Sequence, residues 1–198
     1  MSLGKLFVLS APSGTGKTTL ISLLMSRYND TLHVKNVVTY TSRCPREGEV
    51  NGVDYHFVTI AQFKHMIDQN LFLEWNIWCD NYYGSPLSVL EDMRRGQSFI
   101  LVIDVEGARR VRKAYADAVL IWLVPPSLFE LERRLRGRGT DSEKILQSRL
   151  EKAQQEITLE LQDQQYAECP LYDYHVINND KEVAVIQLFE IMRSELSI

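Results

Sequence analysis

The chain has 198 residues, of which 45% are hydrophobic and 24% are charged, and its formal net charge is −4. This composition is typical of a globular domain, and the slight acidity argues against a general nucleic-acid binder. No apolar run approaches the roughly 20 residues of a membrane span, and the start does not resemble a signal peptide, so we expect no membrane partner. The three cysteines are far apart and form no C-x-x-C pair, which favours a reducing, cytoplasmic setting.

The elements expected along the chain alternate between buried strands and helices. Apolar runs rich in Val, Ile and Leu predict strands at KLFVLS (5–10), FILVID (99–104), VLIWLV (119–124) and YHVIN (174–178). The segments between them predict helices over residues 17–28, 86–95, 107–116, 127–136, 143–167 and 181–196. This alternation predicts an α/β fold with a parallel sheet.

Two stretches depart from the alternation. Residues 36–85 are rich in aromatic and hydroxyl side chains and predict a strand-rich lobe inserted into the α/β core. Residues 133–150, RRLRGRGTDSEKILQSRL, are basic, polar and broken by glycine, which predicts a mobile lid flanked by helices. We therefore expect one domain over residues 1–198, divided into a core (1–35, 93–130 and 154–198), an inserted lobe (36–92) and a lid (131–153).

A glycine-containing loop follows the first predicted strand. The stretch APSGTGKTT (11–19) fits the phosphate-binding pattern G-x-x-x-x-G-K-[ST], the P-loop, except that Ala11 replaces the first glycine. In such a loop Lys17 supplies a cation between the β- and γ-phosphates of a nucleoside triphosphate, and Thr18 offers a hydroxyl to Mg²⁺. The alternative is a plain strand–turn–helix with a surface lysine. Because Ala11 precedes Pro12, we expect an extended backbone there, which alanine adopts without strain.

An acidic residue ends the second core strand. The run FILVID finishes in Asp104, as in P-loop proteins where a carboxylate at this point holds the hydration shell of Mg²⁺. The alternative is that Asp104 simply terminates a strand. The histidines have no ligand spacing, so we expect no separate metal cluster.

Ordered motifs extend over nearly the whole chain: APSGTGKTT, TSRCPREGEVNGVDYHFV, FLEWNIWCDNYYGS, VIDVEGARRV, PPS, RLRGRGT and YDYHVINND. Together they resemble the guanylate kinase family, whereas the N-K-x-D motif by which Ras-type GTPases read guanine is absent from the sequence. The resemblance implies a three-part α/β enzyme, a P-loop NTPase core with an inserted strand-rich GMP-binding lobe and a mobile lid. Its substrates would be ATP and GMP, with dGMP as a second expected acceptor and Mg²⁺ carried by ATP.

The resemblance assigns the GMP phosphate to Arg43, Arg46, Tyr55 and Tyr83. Guanidinium groups form forked, charge-assisted bonds to a phosphate dianion, and tyrosine hydroxyls add neutral donors. Without the resemblance, each arginine would be interpreted as a solvated surface charge.

Recognition of the base is expected to centre on Glu74. Glu74 lies among apolar neighbours in FLEW, where an isolated carboxylate would be costly. A carboxylate accepts the N1–H and 2-amino groups of guanine, a donor pair that adenine lacks, so Glu74 would select guanine. The resemblance adds the hydroxyls of Thr39 and Ser85, and Thr39 stands where the family often has serine.

The strand LVID departs from the family. Many guanylate kinases carry two acids here, as in L-D-I-D, whereas this chain has Val102 followed by Asp104. The contribution of the first carboxylate near GMP must then be absent or come from Asp104 or Glu106. We expect altered GMP affinity rather than lost chemistry.

The lid and the loop are expected to carry catalysis. By the resemblance, the catalytic residues are Lys17, Arg134, Arg138 and Arg149. An arginine-rich lid that closes over the triphosphate neutralises charge and excludes water, although the same residues could form a basic solvated helix. The expected ATP-binding residues are Ser13, Gly14, Thr15, Gly16, Lys17, Thr18, Thr19 and Asn178. Asn178, which ends the last strand, is also a routine turn residue.

Two other functions remain open. A kinase for another nucleoside monophosphate would share the fold, and Glu74 is the residue that discriminates against it. A guanylate-kinase-like scaffold module would bind peptides, but such modules typically lose the P-loop and lid residues that this chain keeps. We expect Trp75 and Trp78 to pack within the lobe, we assign Cys44 no role, and a homo-oligomer is an open alternative.

Overall fold

The computed structural model describes residues 3–137 and 143–198. Its strands are β1 (Leu6–Ser10), β2 (Val34–Asn36), β3 (Thr39–Thr41), β4 (Tyr55–Phe57), β5 (Phe72–Trp78), β6 (Asn81–Pro86), β7 (Ser98–Ile103), β8 (Val119–Val124) and β9 (Tyr174–Ile177). Its helices are α1 (Lys17–Leu32), α2 (Ile60–Asp68), α3 (Val89–Arg94), α4 (Val105–Ala114), α5 (Leu128–Gly137), α6 (Glu143–Tyr166) and α7 (Lys181–Leu196). Over these two ranges, no helix combines the length and apolarity that a membrane span requires.

A five-stranded parallel sheet in the order β2-β7-β1-β8-β9 forms the core and confirms the predicted α/β class. The central strand β1 is buried along its whole length because helices cover both faces of the sheet. The carboxyl ends of parallel strands meet at one edge of a sheet, where ligands of open α/β folds bind. The loop after β1, Asp104 after β7 and Asn178 after β9 therefore lie along this edge.

Helices pack on both faces of the core sheet. Leu20 of α1 and Leu188 of α7 belong to the apolar cluster on one face, where the rings of Tyr28 and Phe189 stack with centroids 4.2 Å apart. On the other face, α4 contributes Val111 to a second cluster. Alternate residues of β1 enter the two clusters, so the central strand joins both halves of the core.

Two elements differ from the pattern predicted for the sequence. Strand β2, at the edge of the core sheet, has three residues of which only Val34 is buried, too short to show a periodic pattern. Helix α2 lies in the region expected to be rich in strands, where no helix was predicted. It begins with a capping box, in which the Thr59 side chain accepts from the Gln62 backbone and the Gln62 side chain accepts from the Thr59 backbone. This T-x-x-Q spacing was a helix-start signal that the composition of the lobe obscured.

The inserted region forms a second sheet in the order β4-β3-β6-β5. Strands β3 and β4 are parallel, and β6 runs antiparallel to both β3 and β5. One face is aromatic and packs on α2, with the rings of Phe63 and Phe72 stacked at 4.4 Å. The strand register places several polar-ended side chains on the opposite side, and we use the name polar face for six of them: Thr39, Tyr55, Glu74, Asn76, Tyr83 and Ser85.

Helices α5 and α6 share a small apolar cluster that includes Leu131 and Leu146. Arg136 of α5 also pairs with Glu143 of α6, with Nη2 and Oε1 2.7 Å apart. The predicted catalytic residue Arg138 lies outside the described residues.

Candidate active site

The loop after β1 has a backbone that requires glycine at two points. Gly14 and Gly16 have φ angles of +88° and +100°, and a Cβ on Gly16 would lie 2.9 Å from Nδ2 of Asn178. Because α1 begins at Lys17, its unpaired N-terminal N–H groups favour an anion at the loop. Nζ of Lys17 donates to the carbonyl oxygen of Ala11 at 2.6 Å, which holds this cation against the loop.

Ala11 fits its position without strain. The described non-glycine residues with positive φ are His33, Asn70, Cys79, Asp80 and Ser197, and Ala11 is not among them. Its side chain is 1% exposed and belongs to the core cluster beneath α1. As expected, this corner does not require glycine.

Two predicted lid arginines and Asn178 converge on the loop. The carbonyl oxygen of Thr15 accepts from Nη1 of Arg134 at 3.1 Å and from Nδ2 of Asn178 at 2.6 Å. Nη1 of Arg149 donates to Oγ of Ser13 at 3.1 Å. Helices α5 and α6 and the end of β9 therefore all reach the same loop, from three distant parts of the sequence.

Asp104 lies at the junction between the core and the lobe. Its side chain caps α4 by accepting from the backbone N–H of Gly107 at 2.8 Å. Nδ2 of Asn76 donates to both carboxylate oxygens of Asp104, at 3.2 and 3.1 Å, and Nζ of Lys152 lies 3.6 Å from Oδ2. The side chain of Thr18, the other predicted metal contact, is exposed in the first turn of α1, as is its neighbour Thr19.

Glu74 and Ser85 form a buried pair on the polar face. The two residues are directly opposite each other in β5 and β6, and Oγ of Ser85 donates to Oε1 of Glu74 at 2.5 Å. Burial raises the pKa of Glu74 to about 7, and the charge of Asp104 acts in the same direction, whereas the hydrogen bond from Ser85 opposes it. Thr39 lies on the same face, opposite Tyr55.

Arg43 lies at the other end of the polar face. Its guanidinium donates to both carboxylate oxygens of Glu49, at 2.9 and 2.8 Å, and its central carbon lies 5.5 Å from the ring centroid of Tyr55. The hydrogen bond from Arg43 lowers the pKa of Glu49, and burial raises the pKa of Tyr55. Tyr83 is next to Tyr55, with ring centroids 6.4 Å apart. The side chain of Arg46 is exposed, although its backbone N–H donates to Glu49 at 2.7 Å.

Glu49 and Asn76 lie within motifs of the family resemblance but were assigned no role, and Lys152 lies outside those motifs. Lys152 lies three residues after Arg149 in α6, so helical spacing from that arginine was the only signal for it. Its Nζ lies 4.1 Å from the ring centroid of Trp78, and it is also 3.7 Å from Oε1 of Glu156. Trp78 therefore contacts α6, beyond the lobe packing expected from the sequence.

A cleft of about 620 Å³ runs beside β5. It is lined by residues 72–77 and Arg110, which include Glu74 and Asn76 of the polar face. Burial raises the pKa of Glu156, on the α6 side of this junction, to about 7.

Three features define a P-loop kinase of the nucleoside monophosphate class. They are the P-loop at the carboxyl edge of a parallel sheet, the arginines from two helices that contact this loop, and the inserted sheet with its buried carboxylate. The family model described as guanylate kinase matches residues 3–195. The guanylate kinase of Haemophilus influenzae is 43% identical over 98% of this chain and 90% of its own length, and that of a Shewanella species is 42% identical over 97% and 88%. The crystal structure of guanylate kinase from Anaplasma phagocytophilum, 31% identical, superposes with a TM-score of 0.74 over 98% of this chain and 87% of that one. The chain belongs to the guanylate kinase family.

Proposed function

We propose that this protein transfers the γ-phosphoryl group of ATP to GMP, giving ADP and GDP, and that it also accepts dGMP. The observation that carries the choice of acceptor is the buried Glu74–Ser85 pair on the polar face. A P-loop alone suits any enzyme that uses a nucleoside triphosphate. A buried carboxylate on the inserted sheet adds a group suited to select guanine.

The ATP side consists of the loop and the residues that converge on it. Backbone N–H groups of the loop and of the first turn of α1 would surround the phosphates, and Lys17 would move its ammonium from the loop carbonyl to the β- and γ-phosphates. Arg134 and Arg149, with Arg138, would neutralise the group in transfer. Asn178 would contact the adenine side.

Magnesium suits the donors present at this junction. Among the described residues, no cluster of three or more His, Cys, Asp or Glu side chains could hold a metal ion alone. The hydroxyl of Thr18 and the carboxylate of Asp104 are oxygen donors of the type Mg²⁺ prefers, and Mg²⁺ commonly keeps several waters and binds through substrate phosphates. Because Asp104 already accepts from Asn76 and Gly107, we assign it a contact through water. When bound with ATP, the ion offsets charge on the β- and γ-phosphates.

The phosphate of GMP would bind at the Arg43 end of the polar face. Glu49 fixes the orientation of the Arg43 guanidinium, and that group has five N–H donors, so some stay available for phosphate oxygens. Tyr55 and Tyr83 would add their hydroxyls, and the exposed Arg46 would fold onto the same phosphate.

The guanine base would bind at the Glu74 end. Ionised Glu74 would accept the N1–H and 2-amino groups, with the hydroxyls of Thr39 and Ser85 as further partners. Val102 packs against the core cluster of α1 and α7 and brings no polar group. Any carboxylate that β7 and the start of α4 offer to GMP must therefore come from Asp104 or Glu106.

Phosphoryl transfer needs positioning and charge neutralisation more than covalent work by the protein. A phosphate oxygen of GMP bonds to the γ-phosphorus, and the bond from that phosphorus to the β–γ bridging oxygen breaks, leaving its electron pair on ADP. The arginines and Lys17 stabilise the charge that develops on the transferred group. Closure of the predicted lid over the loop would exclude water, which would otherwise hydrolyse ATP.

A coupled assay for ADP tests the proposal. ATP is offered with GMP, dGMP, AMP, CMP or UMP, and we expect fast turnover only with the two guanine nucleotides. Turnover of AMP, CMP or UMP at the rate of GMP would contradict guanine selection. Absence of ADP from a folded sample that binds GMP would favour a peptide-binding scaffold module.

The proposed reaction also bears on location and domain organisation. ATP and GMP are nucleotides of the cytoplasm, where we place the protein.

We propose that the core, the inserted lobe and the lid keep the boundaries predicted from the sequence and move relative to one another during turnover. Small-angle scattering with and without both nucleotides would detect such closure as a smaller radius of gyration.

A further inference from the structure

Asn76 lies on the polar face between the two ends of the proposed GMP site. It is two residues after Glu74 in β5, so both side chains project from the same side of the strand. Its partner across the sheet is Tyr83, and the partner of Glu74 is Ser85. Asn76 also lines the cleft beside β5.

Asp104 fixes the orientation of the Asn76 amide. A carboxylate only accepts hydrogen bonds, so the NH₂ group of Asn76 must be the part that faces both oxygens of Asp104. The amide oxygen Oδ1 is then directed away from Asp104. Oδ1 is buried, and within the described ranges it has no hydrogen-bond partner. Buried polar atoms are nearly always paired, with a protein group, an ordered water or a ligand, so a ligand donor can become the partner of Oδ1 once nucleotide binding uncovers it.

Guanine has one donor more than Glu74 can satisfy. Its N1–H and 2-amino groups together offer three hydrogens, all near Glu74 in the proposed site. The carboxylate can accept N1–H and one hydrogen of the 2-amino group, while Oε1 also accepts from Ser85. The second hydrogen of the 2-amino group is left without a partner. The phosphate of GMP, as a dianion, offers no donor that could compete for Oδ1.

We infer that Oδ1 of Asn76 accepts the second hydrogen of the 2-amino group of guanine, so that Asn76 selects 2-aminopurine nucleotides. The inference rests on the proposed function, because it requires GMP on the polar face. Asn76 thereby has two linked contacts: its NH₂ group holds Asp104, and its oxygen binds the base.

Substrates that differ by single groups test this inference. GMP, dGMP and IMP are compared in binding by calorimetry and in the coupled assay, with wild-type protein, Asn76→Ala and Asn81→Ala. IMP lacks the 2-amino group, and dGMP lacks the 2′-hydroxyl. Asn81 is a matched control, since it lies in the same hairpin and donates to the carbonyl oxygen of Cys79. For Asn76→Ala we expect the affinity and kcat/KM for GMP and dGMP to fall about tenfold, while IMP changes less than about twofold. Asn81→Ala should match the wild type.

Three results would overturn the inference. Equal losses for GMP and IMP would mean that Asn76 acts only by holding Asp104. A loss for GMP but not for dGMP would make the 2′-hydroxyl the donor, and unchanged affinities for all three nucleotides would remove Asn76 from recognition. Thermal melting and ATP affinity of each variant show whether the fold is intact, and Asn76→Ser is measured in parallel as a milder change. Failure of the wild-type protein to phosphorylate GMP would instead contradict the proposed function itself.

Discussion

The P-loop and the polar face of the lobe are built in opposite ways. The loop is contiguous, between β1 and α1, and its shape depends on backbone conformation at Gly14 and Gly16. The polar face collects side chains from four strands between Thr39 and Ser85. Backbone N–H groups suit a triphosphate that many enzymes use, whereas separately placed side chains can match one base. Changes in the loop should therefore impair turnover with every phosphoryl acceptor, whereas changes in the polar face should alter only the kinetic and binding constants for GMP.

Removal of the loop cation should have the largest effect. In Lys17→Ala we expect kcat to fall on the order of a thousandfold, because the ammonium stabilises charge that develops during transfer. The affinity for GMP, measured by calorimetry, should change little, since Lys17 belongs to the ATP side. Lys35→Ala, at an exposed position in β2, is the matched control and should behave as wild type. Unchanged turnover would remove Lys17 from the mechanism.

Loss of the Glu74 charge should be the largest effect on the polar face. In Glu74→Gln we expect kcat/KM for GMP to fall about a hundredfold, because an amide accepts at one atom and presents a donor to guanine at the other. The KM for ATP should stay constant. Glu91→Gln, at an exposed position in α3, serves as the control. A parallel rise in the KM for ATP would mean that Glu74 also affects the ATP site, which contradicts the separation of the two regions.

The contrast between the regions also explains what the sequence could predict. The loop was recognisable because its residues are adjacent and follow an apolar strand, and four of the five core strands were recognisable by their buried apolar runs. The polar face depends on strand register, which brings Thr39 opposite Tyr55 and Glu74 opposite Ser85. Short strands leave little periodic signal for register, so Thr39, Tyr55, Tyr83 and Ser85 were identified by family resemblance.

Residues that act through a neighbour were not predictable. Glu49 looks like any acid in a turn until the structure pairs it with Arg43. Asn76 lies in the motif FLEWNIWCDNYYGS but was assigned no role there, and its contact with Asp104 joins residues 28 positions apart. The helix α2 was a different case, since its capping box was present in the sequence but lay within a stretch rich in strand-forming residues.

Arg43 tests the phosphate end of the polar face. In Arg43→Ala we expect the KM for GMP to rise about thirtyfold with a smaller change in kcat, because a charge-assisted contact to the GMP phosphate is lost. Loss of Arg43 also leaves Glu49 without its ion pair, so melting temperature is measured alongside. Arg95→Ala, with a side chain 78% exposed, is the control. A change confined to ATP would mean that the lobe is wrongly assigned.

Protonation of Glu74 should control how kcat/KM for GMP varies with pH. Burial raises its pKa to about 7, and only the carboxylate form accepts both guanine donors. As pH falls through 7, the group protonates, and kcat/KM for GMP should drop about tenfold between pH 8 and pH 6. The GMP phosphate also titrates near pH 6, and Glu156 has a pKa of about 7, so the profile is compared with that of Glu74→Gln, which keeps both of these effects and removes only that of Glu74. Superimposable profiles would exclude Glu74 as the titrating group.

The smallest expected effect falls where the two regions meet. Helix α6 reaches the loop through Arg149 and the lobe through Lys152, which contacts both Trp78 and Asp104. Part-exposed ion pairs and cation–π contacts each contribute on the order of 1 kcal/mol or less, so Lys152→Met should raise the KM for GMP and for ATP by about two- to fivefold. Both constants should change, because α6 is the element that connects the two sites. Lys144→Met, exposed in the same helix, should change neither, and a shift in the KM for only one nucleotide would show that Lys152 belongs to a single site rather than joining them.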